Sequence, residues 1–241
     1  MSFMRELALF AGAGGGVLGG KLLGWRTVCA VECDPYAASV LVARQNDGIL
    51  DPFPVWDDVR TFDGRPWRGI VDVVSGGFPC QAYSNAARGR HTARGLWPEM
   101  LRIISEVRPR YAFSENPSED AIIEAQADLA AAGYSTARIK LSASFLGAPH
   151  IRDRWWMVAD SDNKSELGGQ KYAKVEGQQK CRNGLWETDP REPRVVDGVA
   201  NRMDRLKCIG NGQVPSVAAA AWGYLTGYWG NLADEPATKA I

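Results

Sequence analysis

The sequence is poor in metal-binding side chains and has no long apolar run. Its five cysteines form no Cys-x-x-Cys pair, and its 241 residues include only two histidines. This supply argues against a zinc site, and an odd, scattered set of cysteines argues against a disulfide framework. Charged residues interrupt the most apolar N-terminal stretch at Lys21, Arg26 and Glu32. We therefore expect no metal, no membrane span, no secretory signal and a cytoplasmic location.

The sequence also lacks an excess of charge of either sign. Lysine and arginine number 28, aspartate and glutamate also number 28, and the formal net charge is zero. No global field draws this chain to a polyanion, so any contact with nucleic acid must come from local basic patches. Basic residues cluster in two places, Arg88 to Arg94 and Lys171 to Arg182. Taken alone, either cluster is typical of an ordinary solvated surface.

What is present is an alternation of short apolar runs with helical patterns. The predicted strands are Leu7 to Phe10, Thr27 to Val31, Ile70 to Val74, Tyr111 to Phe113 and Trp155 to Val158. The predicted helices are Val17 to Leu23, Pro35 to Ala43, Leu96 to Val107, Glu119 to Ala132 and Ser216 to Tyr228. This alternation predicts an α/β fold with a mostly parallel sheet and helices on both faces. After Ala159 a polar segment with little periodicity predicts a linker or a small insert.

Residues suited to an adenosyl group follow three successive predicted strands. A glycine-rich turn with Gly12 and Gly14 follows the first strand and resembles the start of a dinucleotide-binding fingerprint. Glu32 ends the second strand, where a carboxylate can accept two hydrogen bonds from a ribose diol. Asp58 follows the presumed third strand, where it is suited to an adenine amino group. Because ligands of open parallel sheets bind at the carboxyl ends of the strands, these residues predict one site.

A cysteine and a glutamate follow the next two predicted strands. Cys80 stands in the segment Ser-Gly-Gly-Phe-Pro-Cys-Gln, and Glu115 stands in Glu-Asn-Pro. A buried structural cysteine is the commoner fate of this residue type, but the Gly-Gly-Phe-Pro lead-in argues against burial in regular structure. A thiolate can add to carbon 6 of cytosine while a carboxyl group hydrogen-bonds ring nitrogen 3 and the exocyclic amine. A free thiol has a pKa of about 8.5, so Cys80 requires activation.

Five motifs stand in the order in which the cytosine-5 DNA methyltransferase family has them. They are the Phe-Ala-Gly-x-Gly-Gly turn, the Gly-Phe-Pro-Cys-Gln-x-x-Ser loop, Glu-Asn-Pro, Gly147 to Arg154, and Gly210 to Pro215. The chain resembles compact bacterial or phage members of that family over nearly its whole length, except for residues 160–194. The resemblance implies a Rossmann-like fold with a small target-recognition insert. It also implies methyl transfer from S-adenosylmethionine to carbon 5 of a flipped cytosine through a covalent cysteine adduct.

The resemblance also assigns roles to individual residues. Cys80 would be the nucleophile, Glu115 would bind the cytosine edge, and Arg152 and Arg154 would order the nucleophile and orient the base. The cofactor site would comprise Phe10, Gly12, Gly14, Glu32, Asp58, Pro79 and Asn211. A mobile loop would bring Gln81, Ser84, Arg88, Arg90 and Arg94 to DNA. The chain departs from the usual pattern at His150, Pro117 and Cys33.

The resemblance further implies an organisation and a set of partners. We expect a catalytic and cofactor-binding domain at 1–159, a short target-recognition segment at 160–200, a returning C-terminal motif and helix at 201–233, and a tail at 234–241. The expected substrates are duplex DNA and S-adenosylmethionine, which leaves as S-adenosylhomocysteine, without a metal. The expected protein is a monomer in a bacterial cell or phage-infected host, with a cognate restriction endonuclease as a possible companion.

Two other functions stay open at this point. A branch of the same family methylates tRNA, although other RNA cytosine-5 methyltransferases typically carry a second cysteine where Glu115 stands. A non-catalytic DNA- or cofactor-binding relative is the alternative from a different class, and the intact Cys80 and Glu115 argue against it.

Overall fold

A seven-stranded mixed sheet organises the chain, for which a computed structural model describes residues 3–79, 95–162, 167 and 202–228. The strands are β1 (Arg5–Leu9), β2 (Arg26–Val31), β3 (Val55–Trp56), β4 (Val73–Gly77), β5 (Tyr111–Asn116), β6 (Ser135–Ser142) and β7 (Asp153–Asp160). The helices are α1 (Gly15–Leu22), α2 (Pro35–Asn46), α3 (Trp97–Val107), α4 (Glu119–Ala131), α5 (Arg202–Asn211) and α6 (Pro215–Thr226). Short 3-10 turns lie at Arg65–Trp67 and Ala143–Leu146.

The strand order is β3-β2-β1-β4-β5-β7-β6. The first five strands run parallel, and β7 is inserted antiparallel between β5 and β6. The chain moves outward from β1 to β3 on one side and from β4 onward on the other. The switch point therefore lies between β1 and β4, where open sheets of this kind form a ligand crevice at the carboxyl ends. The predicted α/β fold with a mostly parallel sheet is confirmed.

Alternate residues of the central strands supply the cores on the two faces of the sheet, as the two-residue period of a strand requires. Leu7 and Val74 pack in one core with α3 and α4. Val73 packs in the core on the other face, which includes α6, and Ala8 packs on that face with residues of α1 and α2. Helices thus cover both faces, as the sequence predicts.

Helix α6 returns the chain to the first helix. Small residues allow a close approach, because a Cβ atom added to Gly19 would stand only 2.8 Å from the Cβ of Ala218. Pro215 begins α6, a position where proline costs no helix hydrogen bond. This packing delivers the segment before α6 to the glycine-rich turn before α1.

Two parts of the pattern differ from the sequence prediction. The predicted strand Ile70 to Val74 begins only at Val73, because Asp72 forms an ion pair with Arg5 and Ile70 lies in a turn with 44% of its surface exposed. Strand β6 and helix α5 were not predicted. Most of the predicted recognition segment lies outside the described residues, and so does the tail.

Candidate active site

Glu115 is the buried acidic group at the carboxyl end of β5. It pairs in register with Gly77 of β4 and has only 6% of its surface exposed. Arg154 of β7 donates from Nε to Oε1 of Glu115 at 2.8 Å. Burial raises the pKa of Glu115 above its usual value, although Arg154, Arg152 and Gln213 each act to lower it. The carboxyl group is therefore held in place while its affinity for a proton is increased.

Asn116 ties the end of β5 to the segment that leads to Cys80. Its fully buried side chain donates from Nδ2 to the carbonyl of Phe78 at 2.9 Å, and its Oδ1 accepts from the backbone N–H of Ser118. The ring of Phe78 packs against Trp97, with centroids 5.1 Å apart. Pro79 follows directly. The structure thus fixes the chain up to Pro79 beside the strand that carries Glu115.

Cys80, with Gln81, Ser84, Arg88, Arg90 and Arg94, lies outside the described residues. The predicted nucleophile and the predicted DNA contacts of the loop therefore remain predictions. What the structure describes is the adjoining backbone and the carboxyl group predicted to act with the thiol.

The two predicted arginines contact different partners. Arg154 binds Glu115, as described above. Arg152 donates from Nη2 to the carbonyl oxygens of Gly210 and Gly212, at 2.9 and 2.5 Å. Burial is the largest cause of the lowered pKa of Arg152, and the positive charge of Arg154 lowers it further. Arg154 therefore contacts the acidic group of the site, and Arg152 holds the returning C-terminal segment.

A small cleft that opens to solvent lies at the switch point between β1 and β4. Its walls come from residues 8–12, 16–17, 75–77 and 211–213. Of the residues predicted to bind the cofactor, Phe10, Gly12 and Asn211 lie in these walls. A Cβ atom added to Gly12 would meet no atom within 4 Å, so its backbone faces open space.

Gly14 does not line the cavity. Its φ of 92° places it in the left-handed region before α1, and an added Cβ would stand 2.9 Å from Cδ2 of Leu41. The residue therefore makes the tight turn and the close contact with α2, which is a structural contribution to the predicted site.

Glu32 and Asp58 lie at the ends of the neighbouring strands. Oε2 of Glu32 accepts from the N–H of Gly12 and Oε1 accepts from the N–H of Asp34, both at 2.7 Å. Each carboxylate oxygen keeps a second lone pair, so each can still accept a hydrogen bond from a ribose hydroxyl. Asp58 accepts from the N–H of Arg60 at 2.9 Å. Burial is the largest cause of the raised pKa of Cys33, and the nearby negative charges of Glu32 and Asp58 raise it further.

Helix α5 also approaches this acidic edge, because Lys207 forms an ion pair with Asp34, the residue that caps α2. Neither this contact nor the structural role of Asn116 was predicted. The sequence held a signal for the role of Asn116, because an amide directly after a strand-end carboxylate is well placed to bind the neighbouring loop.

The described part of the chain holds no group of three or more His, Cys, Asp or Glu residues suited to a metal ion. Across the same residues, every helix is too short or too polar to cross a bilayer.

A family profile described as C-5 cytosine-specific DNA methylase matches residues 4–209. The chain belongs to this family. Among curated proteins, it is 40% identical over 117 residues to the Type II methyltransferase M.Eco47II of Escherichia coli, which covers 46% of this chain and 26% of that enzyme. It is 31% identical over 170 residues to the Type II methyltransferase M.CviJI of Paramecium bursaria Chlorella virus IL3A, covering 66% of this chain and 43% of that enzyme. The chain thus spans less than half the length of either relative.

Solved structures share the fold. The Entamoeba histolytica methyltransferase EhMeth superposes with a TM-score of 0.63 at 12% identity, covering 93% of this chain and 98% of that one. The S. pombe Dnmt2 methyltransferase superposes with a TM-score of 0.54 at 21% identity, covering 73% and 57%. At these identities the likeness concerns the architecture of the sheet and its helices.

Proposed function

We propose that this member of the family is a DNA (cytosine-5-)-methyltransferase, which transfers a methyl group from S-adenosylmethionine to carbon 5 of a flipped cytosine in duplex DNA. The observation that carries the proposal is the buried carboxyl group of Glu115. It lies in register with Gly77, the strand end that leads into Phe-Pro-Cys, and is held by Arg154. A base lying between the Glu115 carboxyl group and a thiol at position 80 would present its two opposite edges to them.

Groups in and beside the walls of the cavity support binding of an adenosyl cofactor. The open backbone at Gly12 and the carboxylate of Glu32 leave room and acceptors for a ribose, and Asn211 lines the same cavity as Gly12. We assign Phe10, Gly12, Glu32 and Asn211 to direct binding, Asp58 and Pro79 to the rim, and Gly14 to the turn. When bound, S-adenosylmethionine supplies an electrophilic methyl group and leaves as S-adenosylhomocysteine. No metal is required by this chemistry.

Glu115 serves the step in which Cys80 adds to carbon 6. The addition places negative charge on ring nitrogen 3, and a carboxyl group that retains its proton can donate to that nitrogen. Its other oxygen can accept from the exocyclic amine. Burial, which raises the pKa of Glu115, favours this protonated form, and Arg154 limits the rise. The interaction strengthens as charge develops, which is the condition for lowering a barrier rather than only binding substrate.

The target base must leave the duplex before this chemistry, at a cost of a few kcal/mol. We propose that the segment Gln81 to Arg94 offsets part of that cost through phosphate contacts of Arg88, Arg90 and Arg94, with Ser84 and Gln81 nearer the base. Replacing both Arg88 and Arg90 with glutamine should reduce the slope of log affinity against log salt by about 2, since each phosphate contact contributes about 0.9. Affinities measured across a salt series check this, and an unchanged slope would remove both arginines from the phosphates.

The decisive experiment incubates the protein with S-adenosylmethionine and duplex DNA of mixed sequence, followed by bisulfite sequencing. We expect cytosines that resist conversion in one sequence context. DNA carrying 5-fluorocytosine in that context should trap the protein covalently. The adduct should be lost in Cys80→Ala and kept in Cys29→Ala, because Cys29 is buried in the core and burial raises its pKa to about 11.

Other outcomes separate the alternatives. Label that enters tRNA and not DNA would favour an RNA methyltransferase. Binding of cofactor and DNA without any adduct on a substrate that contains the target would favour a non-catalytic relative. We further propose that residues 160–200 recognise the target, that residues 201–233 complete the catalytic domain formed by 1–159, and that the protein acts as a cytoplasmic monomer. A companion restriction endonuclease would fit the Type II relatives.

A further inference from the structure

Gln213 lies where three elements of the site converge, in a cradle made by glycines. A Cβ added to Gly15 would stand 2.0 Å from the carbonyl oxygen of Gln213, and one added to Gly16 would stand 2.4 Å from its Oε1. A Cβ added to Gly77 would stand 3.0 Å from its Nε2. Real Cβ atoms essentially never come as close to another atom as they would at Gly15 and Gly16, and the contact at Gly77 would be tighter than most, so the absence of side chains at these three positions makes room for Gln213.

The amide of Gln213 reaches from this cradle to Glu115. Its Nε2 lies 3.5 Å from Oε2 of Glu115, a long hydrogen bond across 98 residues of sequence. A Cβ added to Gly77 would stand 2.6 Å from the same Oε2, so the hydrogen bond between Gln213 and Glu115 passes directly over the backbone of β4. Arg154 occupies the other oxygen, Oε1, at 2.8 Å. The two carboxyl oxygens therefore have different donors from opposite sides.

We propose that Gln213 is a positioning residue, which holds the plane of the Glu115 carboxyl group toward the cytosine edge by binding Oε2 while Arg154 binds Oε1. The inference rests on the proposed function, because it specifies how the acidic group of that reaction is oriented. A single ion pair leaves the carboxyl group free to rotate about its last bond. Two donors on two oxygens define its plane, and reacting groups lose rate steeply when they are misplaced.

Gln213 also forms part of the cavity wall, so its two contributions must be separated. A wall residue acts on cofactor affinity, whereas a positioning residue acts on turnover through Glu115. Replacing Gln213 with leucine keeps most of the volume in the cradle but removes the donor. The comparison of turnover with cofactor affinity in this variant therefore distinguishes the two contributions.

A double-mutant cycle tests the proposal with the purified protein. Gln213→Leu should lower kcat by roughly tenfold and change the KM for S-adenosylmethionine by less than about threefold, whereas in a Glu115→Gln background the same change should cost less than about twofold. Equal losses in the two backgrounds would show that Gln213 acts independently of Glu115 and would overturn the proposal. Methylation by the wild type tests the proposed function separately.

A second measurement needs no activity. With ¹³C-labelled glutamate, the Glu115 carboxyl signal is assigned by its absence in Glu115→Gln and titrated by NMR. Gln213→Leu should raise the pKa of Glu115, because a donor to the charged form is lost. Gly16→Ala should act in the same direction by displacing the Gln213 amide, while alanine suits the helix better than glycine. An unchanged pKa in both variants would overturn the proposal even if the wild type methylates DNA, and thermal unfolding checks that both variants fold.

Discussion

Two glutamates are buried in the same sheet, Glu6 in β1 and Glu115 in β5, and their surroundings differ. Glu6 has 1% of its surface exposed and accepts hydrogen bonds at 2.6 Å from the hydroxyl groups of Thr27 and Ser75 on the adjacent strands. Glu115 lies at the strand end and is bound by Arg154 and Gln213. Burial raises the pKa of both groups, that of Glu6 to about 7.

The difference shows that a raised pKa alone does not mark an active site. Glu6 lies near the amino end of β1, where β2, β4 and helix α1 surround it, and a Cβ added to Gly20 of α1 would stand 3.1 Å from its Oε2. Glu115 lies at the carboxyl edge, where ligands of such sheets bind. The pKa of both groups is raised, but their positions differ: Glu6 is enclosed by strands and a helix, and Glu115 lies at the edge where ligands of such sheets bind.

The sharpest separation is expected from Glu115→Gln. Turnover should fall by about 10²–10³-fold, because the charge that Glu115 stabilises appears only in the transition state. Cofactor affinity, measured by calorimetry, should stay within about twofold. Glu6→Gln is the matched control, since it makes the same chemical change at the other buried carboxyl group and should leave turnover nearly unchanged. Equal losses of turnover and cofactor affinity in Glu115→Gln would contradict the assigned role.

Glu6→Gln should instead act on stability in a pH-dependent way. The folded pKa of Glu6, about 7, exceeds the unfolded value of 4.5, so the folded state binds the proton more tightly. Wild-type stability from this group is fully present below pH 4.5, declines as pH rises to about 7, and is lost above that. The neutral glutamine avoids this loss, so the stability of the variant relative to wild type should rise by up to about 3 kcal/mol between pH 4.5 and 8. Urea unfolding across this range measures the gap, and a gap that does not vary with pH would refute the assignment.

The smallest effect is expected from Thr27→Val, which removes one of the two hydroxyl donors to Glu6 without changing side-chain shape. At pH 8 the free energy of unfolding should fall by about 1 kcal/mol. The loss should be smaller at pH 5, because the neutral carboxyl group depends less on a donor. Thr27→Ser, which keeps the hydroxyl, is the control. A larger loss at pH 5 than at pH 8 would show that the hydroxyl serves the protonated form.

Much of the fold follows from local patterns, and the exceptions have physical reasons. The strands around Leu7 and Thr27 and the helices beginning at Pro35 and Glu119 were predicted because apolar runs and end signals agree there. Strand β6 alternates buried Ala137, Ile139 and Leu141 with polar residues, a weaker signal that was missed. Helix α5 was missed because its packing depends on distant partners such as Asp34, which contacts Lys207.

The residues of the candidate site also divide into those that the sequence predicted and those that it did not. The predicted placement of Gly12, Glu32 and Glu115 follows from the rule that ligands meet the carboxyl ends of parallel strands. The contact of Gln213 with Glu115 could not be predicted by that rule, because it depends on how closely α6 packs on α1. Periodicity indicates that α6 is a helix but does not give its neighbour. The glycines at 15 and 16 suggest a cofactor turn, and only the structure shows that they also make room for a side chain from the other end of the chain.

The packing of α6 on α1 has a consequence for biosynthesis. Residues 211–213 complete a cavity whose remaining walls come from residues 8–77, so the ribosome makes one wall long after the others. Until α6 has been synthesised and has docked, α1 lacks the helix that packs against it and the cavity lacks one wall. Completion of the cavity therefore depends on the docking of α6 against α1, two helices that lie far apart in the sequence.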